Sequence, residues 1–397
     1  MRTSFEDGTL TLFPEGHVDS RNANDFDREL QDALAAHPGA KVVIDAASLD
    51  YISSAGLRAI IRLMKQVGEG LTVINVSPEV YEVFDMTGFT ELMDVHRALR
   101  EVSVEGCDLI GEGANGKVYR LAPDQMVKVF GSHITLEEIE SERESSRRAF
   151  LLGIPCAIAF DTVRVGDSIG TVYEMLNAAT LSERVQEDPS RLEELAQSAA
   201  SVLRQLHQTE IPKGQLPSAS AFTHGPINKI ADSFTPHEVE QMHALWDSVP
   251  TDNKFIHNDY HTKNIMESQG EIMLIDLGDA SAGNPIIDII HCYMVFILAG
   301  GGTMNHDESE MSFIGITYGQ CRDYWRAFID SYCGSAERAR QLEKLIEPYA
   351  YLMYLSSAMA HPRLPKQYHP VYVDRIRKFV LSRYDEVLGS LADVKLP

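Results

Sequence analysis

The octad His257-Asn258-Asp259-Tyr260-His261-Thr262-Lys263-Asn264, with Asp276 twelve residues beyond it, constrains this chain more than any other feature. It reads HxDxxxxN. The pattern needs a loop that turns back on itself, then an apolar strand, Leu274-Ile275, that delivers Asp276 at its end. An aspartate so placed orients a substrate hydroxyl or accepts its proton, and an asparagine five residues later returns to a metal that bridges phosphates. A second carboxylate suits magnesium, a hard cation that prefers oxygen ligands. Asp259 is therefore the expected catalytic base, and Asn264 and Asp276 the expected metal ligands. Zinc held by His257, Asp259 and His261 would need those residues on a helix, and an Asn-Asp-Tyr segment after a strand does not read as one. Asp279 reads as a loop carboxylate and Asp288 as a structural cap on the catalytic loop. His207 reads as a core histidine at a helix end.

Far upstream, Gly111-Glu112-Gly113-Ala114-Asn115-Gly116 is a GxGxxG. A Walker A loop would need Ser or Thr after Gly116-Lys117, and Val118 stands there. A dinucleotide fold would open a helix after the glycines, yet the alternating, β-branched VYRL follows. A hairpin remains, in which Gly111, Gly113 and Gly116 let the backbone close over phosphates while a lysine on the next strand pairs with them. Val127-Lys128-Val129-Phe130 supplies that lysine, 17 residues after Gly111. The other reading of Lys128 is an edge-strand charge that discourages aggregation. A carboxylate on the following helix should steady Lys128. Glu137, Glu138, Glu140, Glu142 and Glu144 crowd that helix, and Glu144, sharing a face with Glu140, is the expected partner.

GEGANGKVY, VKVF, HNDYHTKNI and LIDLGDA, in that order, resemble the aminoglycoside phosphotransferase and choline kinase branch of the protein-kinase-like fold. The resemblance covers residues 102–397. It implies an α+β two-lobed domain, with lobes of about 102–178 and 179–397, and an ATP- and Mg-dependent transfer to a hydroxyl. It also implies a hinge at Tyr173-Glu174-Met175, with Glu174 and Met175 binding adenine through backbone groups. AATLSERV departs from the branch by lacking a glycine before Thr180-Leu181. A small-molecule acceptor is expected, with His306-Asp307-Glu308-Ser309-Glu310 as an acidic lip for a cationic one. The alternative is a non-catalytic or protein-directed signalling module.

Residues 1–101 read as a separate α/β domain: strands TLTLFPEGHV, AKVVIDA and LTVINV alternate with amphipathic helices. Leu49-Asp50-Tyr51-Ile52-Ser53-Ser54-Ala55-Gly56 resembles the core of the STAS domain of anti-sigma factor antagonists. The resemblance implies an anti-sigma-type protein partner and a phosphorylatable serine where the helix starts. Ala55 occupies the usual acceptor position, so Ser54 is the nearest substitute. The other reading is that Ser53 or Ser54 only caps that helix.

The 35 basic and 58 acidic residues give a net charge of −23. Such a balance disfavours nucleic acid and anionic membranes as partners. Cysteines 107, 156, 292, 321 and 333 form no CxxC pair, so reduced core thiols are expected. No secretory signal is visible at the N-terminus. The apolar run Ile286–Ala299 contains Asp288 and His291 and falls short of a membrane span, so a buried helix is expected. Together these features point to a cytoplasmic protein.

Overall fold

The computed structural model describes residues 1–397 except 69–70, 114, 300–306 and 362–363. Two compact units divide the chain, Met1–Ser103 and Val104–Pro397.

In the first unit the strands Arg2–Glu6, Thr9–Phe13, Lys41–Asp45, Leu71–Val76 and Asp94–Arg97 lie side by side in that order. The first pair is antiparallel and the others are parallel. The run TLTLFPEGHV is not one strand. Pro14 splits it, because proline has no N–H for a ladder, and Glu15–Val18 pairs instead with Ser48–Ile52. Period-two alternation buries Leu10, Leu12, Val42, Ile44 and Val73. The 3.6-residue period buries Phe26 and Leu30 on helix Ala23–Ala36, and Leu57, Ile60 and Leu63 on helix Ser54–Val67. These side chains form one core.

The second unit opens with strands that pair antiparallel in the order Ala159–Val165, Ser168–Glu174, Gln125–Phe130, Gly116–Ala122, Leu109–Gly113. Helix Leu136–Leu151 packs on Ala159–Val165 and Ser168–Glu174. It starts at a capping box, in which the Thr135 hydroxyl accepts from the Glu138 N–H and Glu138 accepts from the Thr135 N–H. Behind lies a helical body in which Leu192–Leu206 and Tyr318–Cys333 pack on one another, as do Ser220–Ile230 and Ala336–Ala360. The stripe Leu195, Ala199, Leu203 and Leu206 is buried in its core. Ile286–Ala299 is a buried α-helix to Tyr293 that widens into a π-helical turn over Met294–Ala299. Among the described residues no helix is long and apolar enough to cross a membrane. All five cysteines are free, four of them buried.

Candidate active site

A short hairpin assembles the chemistry. Ile265–Ser268 pairs antiparallel with Glu271–Leu274, Ile265 opposite Leu274. One residue further, the Ile275 N–H donates to the Asn264 carbonyl at 3.0 Å. Asn264 at the start of the hairpin and Asp276 past its end are thereby neighbours. Asn264 Nδ2 donates to Asp259 Oδ2 at 2.7 Å, which holds the end of the catalytic loop against its aspartate. The loop hangs from Asp288, whose side chain is fully buried and accepts from the backbone N–H groups of His257 (2.9 Å) and Asn258 (2.7 Å). His207 Nε2 lies 3.1 Å from Asp288, and its Nδ1 lies 2.7 Å from the Tyr332 hydroxyl. A buried carboxylate needs such a full set of partners.

Asp259 Oδ1 faces His261 Nε2 at 3.3 Å and His291 Nε2 at 3.9 Å. Burial pushes the Asp259 carboxyl up, but the hydrogen bond from His261 together with the charges of His261, His291 and His257 outweighs it and holds Asp259 well below the usual carboxylate range. Asp259 is thus a carboxylate at neutral pH, as a group that orients or deprotonates a hydroxyl must be. Burial pushes His291 down to about 4. Asp279, three residues past Asp276, is pushed up to about 6, by burial first and then by Asp259 and Asp276.

The lysine strand lies opposite. Lys128 Nζ sits 2.7 Å from Glu142 and 3.3 Å from Asp276. Burial alone would lower this ammonium, but the carboxylates of Asp276 and Glu142 outweigh it and hold Lys128 above the ordinary lysine value. The expectation that Glu144 steadies the lysine is therefore corrected to Glu142. Glu144 turns to Arg148 at 2.7 Å and Arg147 at 3.5 Å, in surface pairs on its own helix. Glu142 also accepts from the Tyr173 hydroxyl at 3.2 Å. The helix's buried residues Ile139, Ser145, Ser146 and Ala149 mark an inward stripe; position 142, three to four residues from Ile139, Ser145 and Ser146, belongs to it and 144 does not. That spacing is the signal by which Glu142 could have been found.

The three glycines are not equivalent. A Cβ at Gly116 would meet the Val129 carbonyl at 2.1 Å, so the close hairpin requires glycine there. A Cβ at Gly111 would make only ordinary contacts with Val118, and one at Gly113 would meet nothing within 4 Å. A side chain at Gly113 would therefore meet no steric obstacle among the described residues. Ala114 lies outside the described residues.

The sequence model of the phosphotransferase enzyme family matches residues 106–324. The chain belongs to this family. A STAS domain model matches residues 1–102. Over 93 residues the chain is 40 % identical to a putative anti-sigma factor antagonist, BtrV, of Bordetella bronchiseptica, covering 22 % of this chain and 78 % of that protein. Over 104 residues it is 25 % identical to an anti-sigma F factor antagonist of Paenibacillus polymyxa, covering 24 % of this chain and 89 % of that protein. Among solved structures, a streptomycin-ATP complex of the aminoglycoside phosphotransferase APH(2")-IIa shares 14 % identity over 77 % of this chain and 98 % of that one, with a TM-score of 0.44. A choline/ethanolamine kinase family protein from Mesorhizobium loti shares 15 % over 72 % of this chain and 91 % of that one, with a TM-score of 0.43.

At the expected hinge of this phosphotransferase-family unit, the Met175 N–H already donates to the Asp124 carbonyl at 2.9 Å. Of the backbone groups expected to bind adenine, Met175 therefore offers a ligand its carbonyl and not its N–H. The Glu174 N–H likewise donates to the Ile158 carbonyl at 2.9 Å. After the hinge, Thr180 caps helix Leu181–Glu187 in a box with Glu183. The expected acidic lip is largely self-contained. Glu308 pairs with Arg322, and Asp307 accepts from the Ser309 N–H and hydroxyl. His306 lies outside the described residues. In the STAS domain the Ser53 hydroxyl accepts from the Gly56 N–H at 3.4 Å and caps the helix, while Ser54, its first residue, is exposed.

Proposed function

We propose that the chain is an ATP- and magnesium-dependent kinase for a hydroxyl on a small molecule, with the STAS domain docking a protein partner of the anti-sigma type. The observation that carries the enzymatic reading is the reach of Lys128 to Asp276, 3.3 Å apart, which brings the glycine hairpin and the catalytic loop to one place. The family to which the chain belongs supports it.

In this reading Gly113 and Gly116 close over the phosphates and Lys128 pairs with them, with Glu142 holding the lysine. Glu174 and Met175 would border the base through their carbonyls. Asn264 and Asp276 would hold magnesium. Asn264 spends its amide nitrogen on Asp259, which leaves its oxygen for a cation, and Asp276 adds a carboxylate. Two protein oxygens fit an ion that completes its shell with water and phosphate; its chemistry there is to neutralise charge on the phosphates. Asp259 takes the acceptor's proton as the acceptor oxygen bonds to phosphorus. The bond from that phosphorus to the bridging oxygen breaks, and ADP leaves. Free cysteines and the net charge of −23 fit a cytoplasmic site of action without nucleic acid.

The test is Asp259→Asn with ADP release measured at saturating Mg-ATP. The variant should lose turnover by about 100-fold or more while still binding nucleotide. Full turnover in the variant refutes the assignment. For the STAS domain, relatives named as anti-sigma factor antagonists favour a protein partner, and the exposed Ser54 hydroxyl is the proposed phosphoacceptor. Incubation with Mg-ATP and a cognate kinase should add one phosphate to the Ser54 peptide by mass spectrometry. Phosphate on Ser53 instead would reassign the site.

A further inference from the structure

The segment after Asp307 presents an exposed aromatic ring beside the catalytic loop from a turn that is itself firmly held. Ser312 N–H and Oγ both donate to the Ile316 carbonyl, at 2.9 and 2.6 Å, and Gly315 N–H donates to the Ser312 carbonyl at 3.1 Å. Ile314 and Ile316 are fully buried. The turn is fastened to the catalytic loop by Thr262 Oγ1, which donates to the Ile314 carbonyl at 2.8 Å. Gln186 Nε2 donates to the Gly315 carbonyl at 2.5 Å. Gly315, at φ 81°, passes so close that a Cβ would meet Ser182 at 2.9 Å and Lys263 at 3.1 Å.

Just before the two buried isoleucine anchors, Phe313 is 54 % exposed and Met311 is 53 % exposed. The Phe313 ring stands edge-on to His261, with centroids 6.2 Å apart, and His261 is the imidazole bonded to Asp259. The ring therefore borders the space an acceptor must enter to bring its hydroxyl to Asp259. The charges around it are mixed, with Asp307 and Glu310 exposed beside the Glu308–Arg322 pair and Lys263. Glu308 is neutralised by Arg322, Asp307 is engaged by Ser309, and the exposed Lys263 stands against Gly315.

We infer that Phe313 is an acceptor-binding wall and that the acceptor is an uncharged alcohol carrying an aromatic or other apolar face. This rests on the kinase reading with Asp259 at the reacting hydroxyl. An aromatic ring on such a wall favours edge-to-face or offset stacking, an advantage of about 2- to 10-fold in affinity.

The test uses the full chain with magnesium and a non-hydrolysable ATP analogue. Saturation-transfer NMR gives dissociation constants for glucose, for 4-nitrophenyl β-D-glucopyranoside, which adds only an aryl group, and for kanamycin. The aryl glucoside should bind about 2- to 10-fold more tightly than glucose and more tightly than kanamycin. Phe313→Ala should close the gap between glucose and the aryl glucoside, and Phe313→Tyr should keep it. No gap in the wild type, a gap that survives Phe313→Ala, or tighter binding of kanamycin overturns the inference. Failure of the kinase reading looks different: the nucleotide analogue would not bind, or Mg-ATP would bind with no ADP released on any acceptor.

Discussion

Replacing Glu142 by Gln keeps the side chain's size and its oxygen but removes the charge that Lys128 faces across 2.7 Å. Lys128 would then retain one carboxylate, Asp276 at 3.3 Å, and be drawn toward it and away from the phosphates. The side chains of Lys128 and Glu142 are 17 % and 14 % exposed, so water screens the pair little. A hydrogen bond between charged groups contributes about 1.5–3 kcal/mol. At about 1.4 kcal/mol per factor of ten, kcat/KM for Mg-ATP should fall about 10- to 150-fold. Glu144→Gln is the control. Its pair with Arg148 lies at the surface, where such pairs are worth about 0.2–1 kcal/mol of stability and touch no reacting group. The assay is ADP release with ATP titrated at fixed magnesium, with thermal melts to confirm that both variants fold. If Glu144→Gln loses as much as Glu142→Gln, or if Glu142→Gln keeps wild-type kcat/KM, the pairing argument fails.

Gly116→Ala should cost about 1–3 kcal/mol or more in denaturant melts, because its Cβ would strike a main-chain carbonyl that cannot swing aside, whereas Gly113→Ala should be nearly neutral for folding and weaken ATP binding. Equal stability losses in the two variants would contradict this. Asp279 holds a proton up to about pH 6 in the folded chain and only up to about 3.8 in the unfolded one. Stability tied to this proton is present at low pH and lost as pH rises through 6, so Asp279→Asn should raise Tm clearly at pH 8 and little at pH 4. A uniform shift at both pH values would refute it. Asp288→Asn leaves the fully buried site with one accepting oxygen for donors that now share two, and should cost about 3–5 kcal/mol in urea titrations together with a fall in kcat. A variant of wild-type stability would remove Asp288 as the loop's anchor.

Residues whose roles depend on local spacing were legible in the sequence. Asn264 returns to Asp259 and stands beside Asp276 because a four-residue hairpin ladder with a tight turn admits few other registers. Lys128 could be recognised because a charge between β-branched neighbours needs partners. The choice among five glutamates was harder, since each is an equally good solvated residue and only the weak stripe Ile139, Ser145, Ser146, Ala149 separates 142 from 144. Phe313 was not legible at all. In sequence it is an ordinary apolar residue among apolar neighbours, and its exposure follows from Ile314 and Ile316 turning inward, which long-range packing decides. The Met175 N–H goes to the Asp124 carbonyl for a similar reason: one more hydrogen bond continues the pairing of Gln125 with Glu174, and the register between distant strands decides it.

Backbone strain joins these observations. Asn258 and Asp276 both adopt left-handed conformations, φ 62° and 58°, which cost on the order of 1–3 kcal/mol each unless the surroundings impose them. Asparagine and aspartate tolerate this region best among non-glycine residues. Glycine would tolerate it better still, so the side chains must give something glycine cannot. Asn258 Nδ2 donates to the Asp279 carbonyl at 2.6 Å and to the Ser281 hydroxyl at 2.7 Å, while its own N–H is fixed by Asp288. One strained residue thereby ties the catalytic loop to the segment that follows Asp276. Asp276 spends its strain differently, turning its carboxylate to Lys128 on the glycine-hairpin side. The two strained positions thus flank the stretch that must hold Asp259, Asn264 and Asp276 in a fixed arrangement, and the buried Asp288 is what keeps the first of them from relaxing.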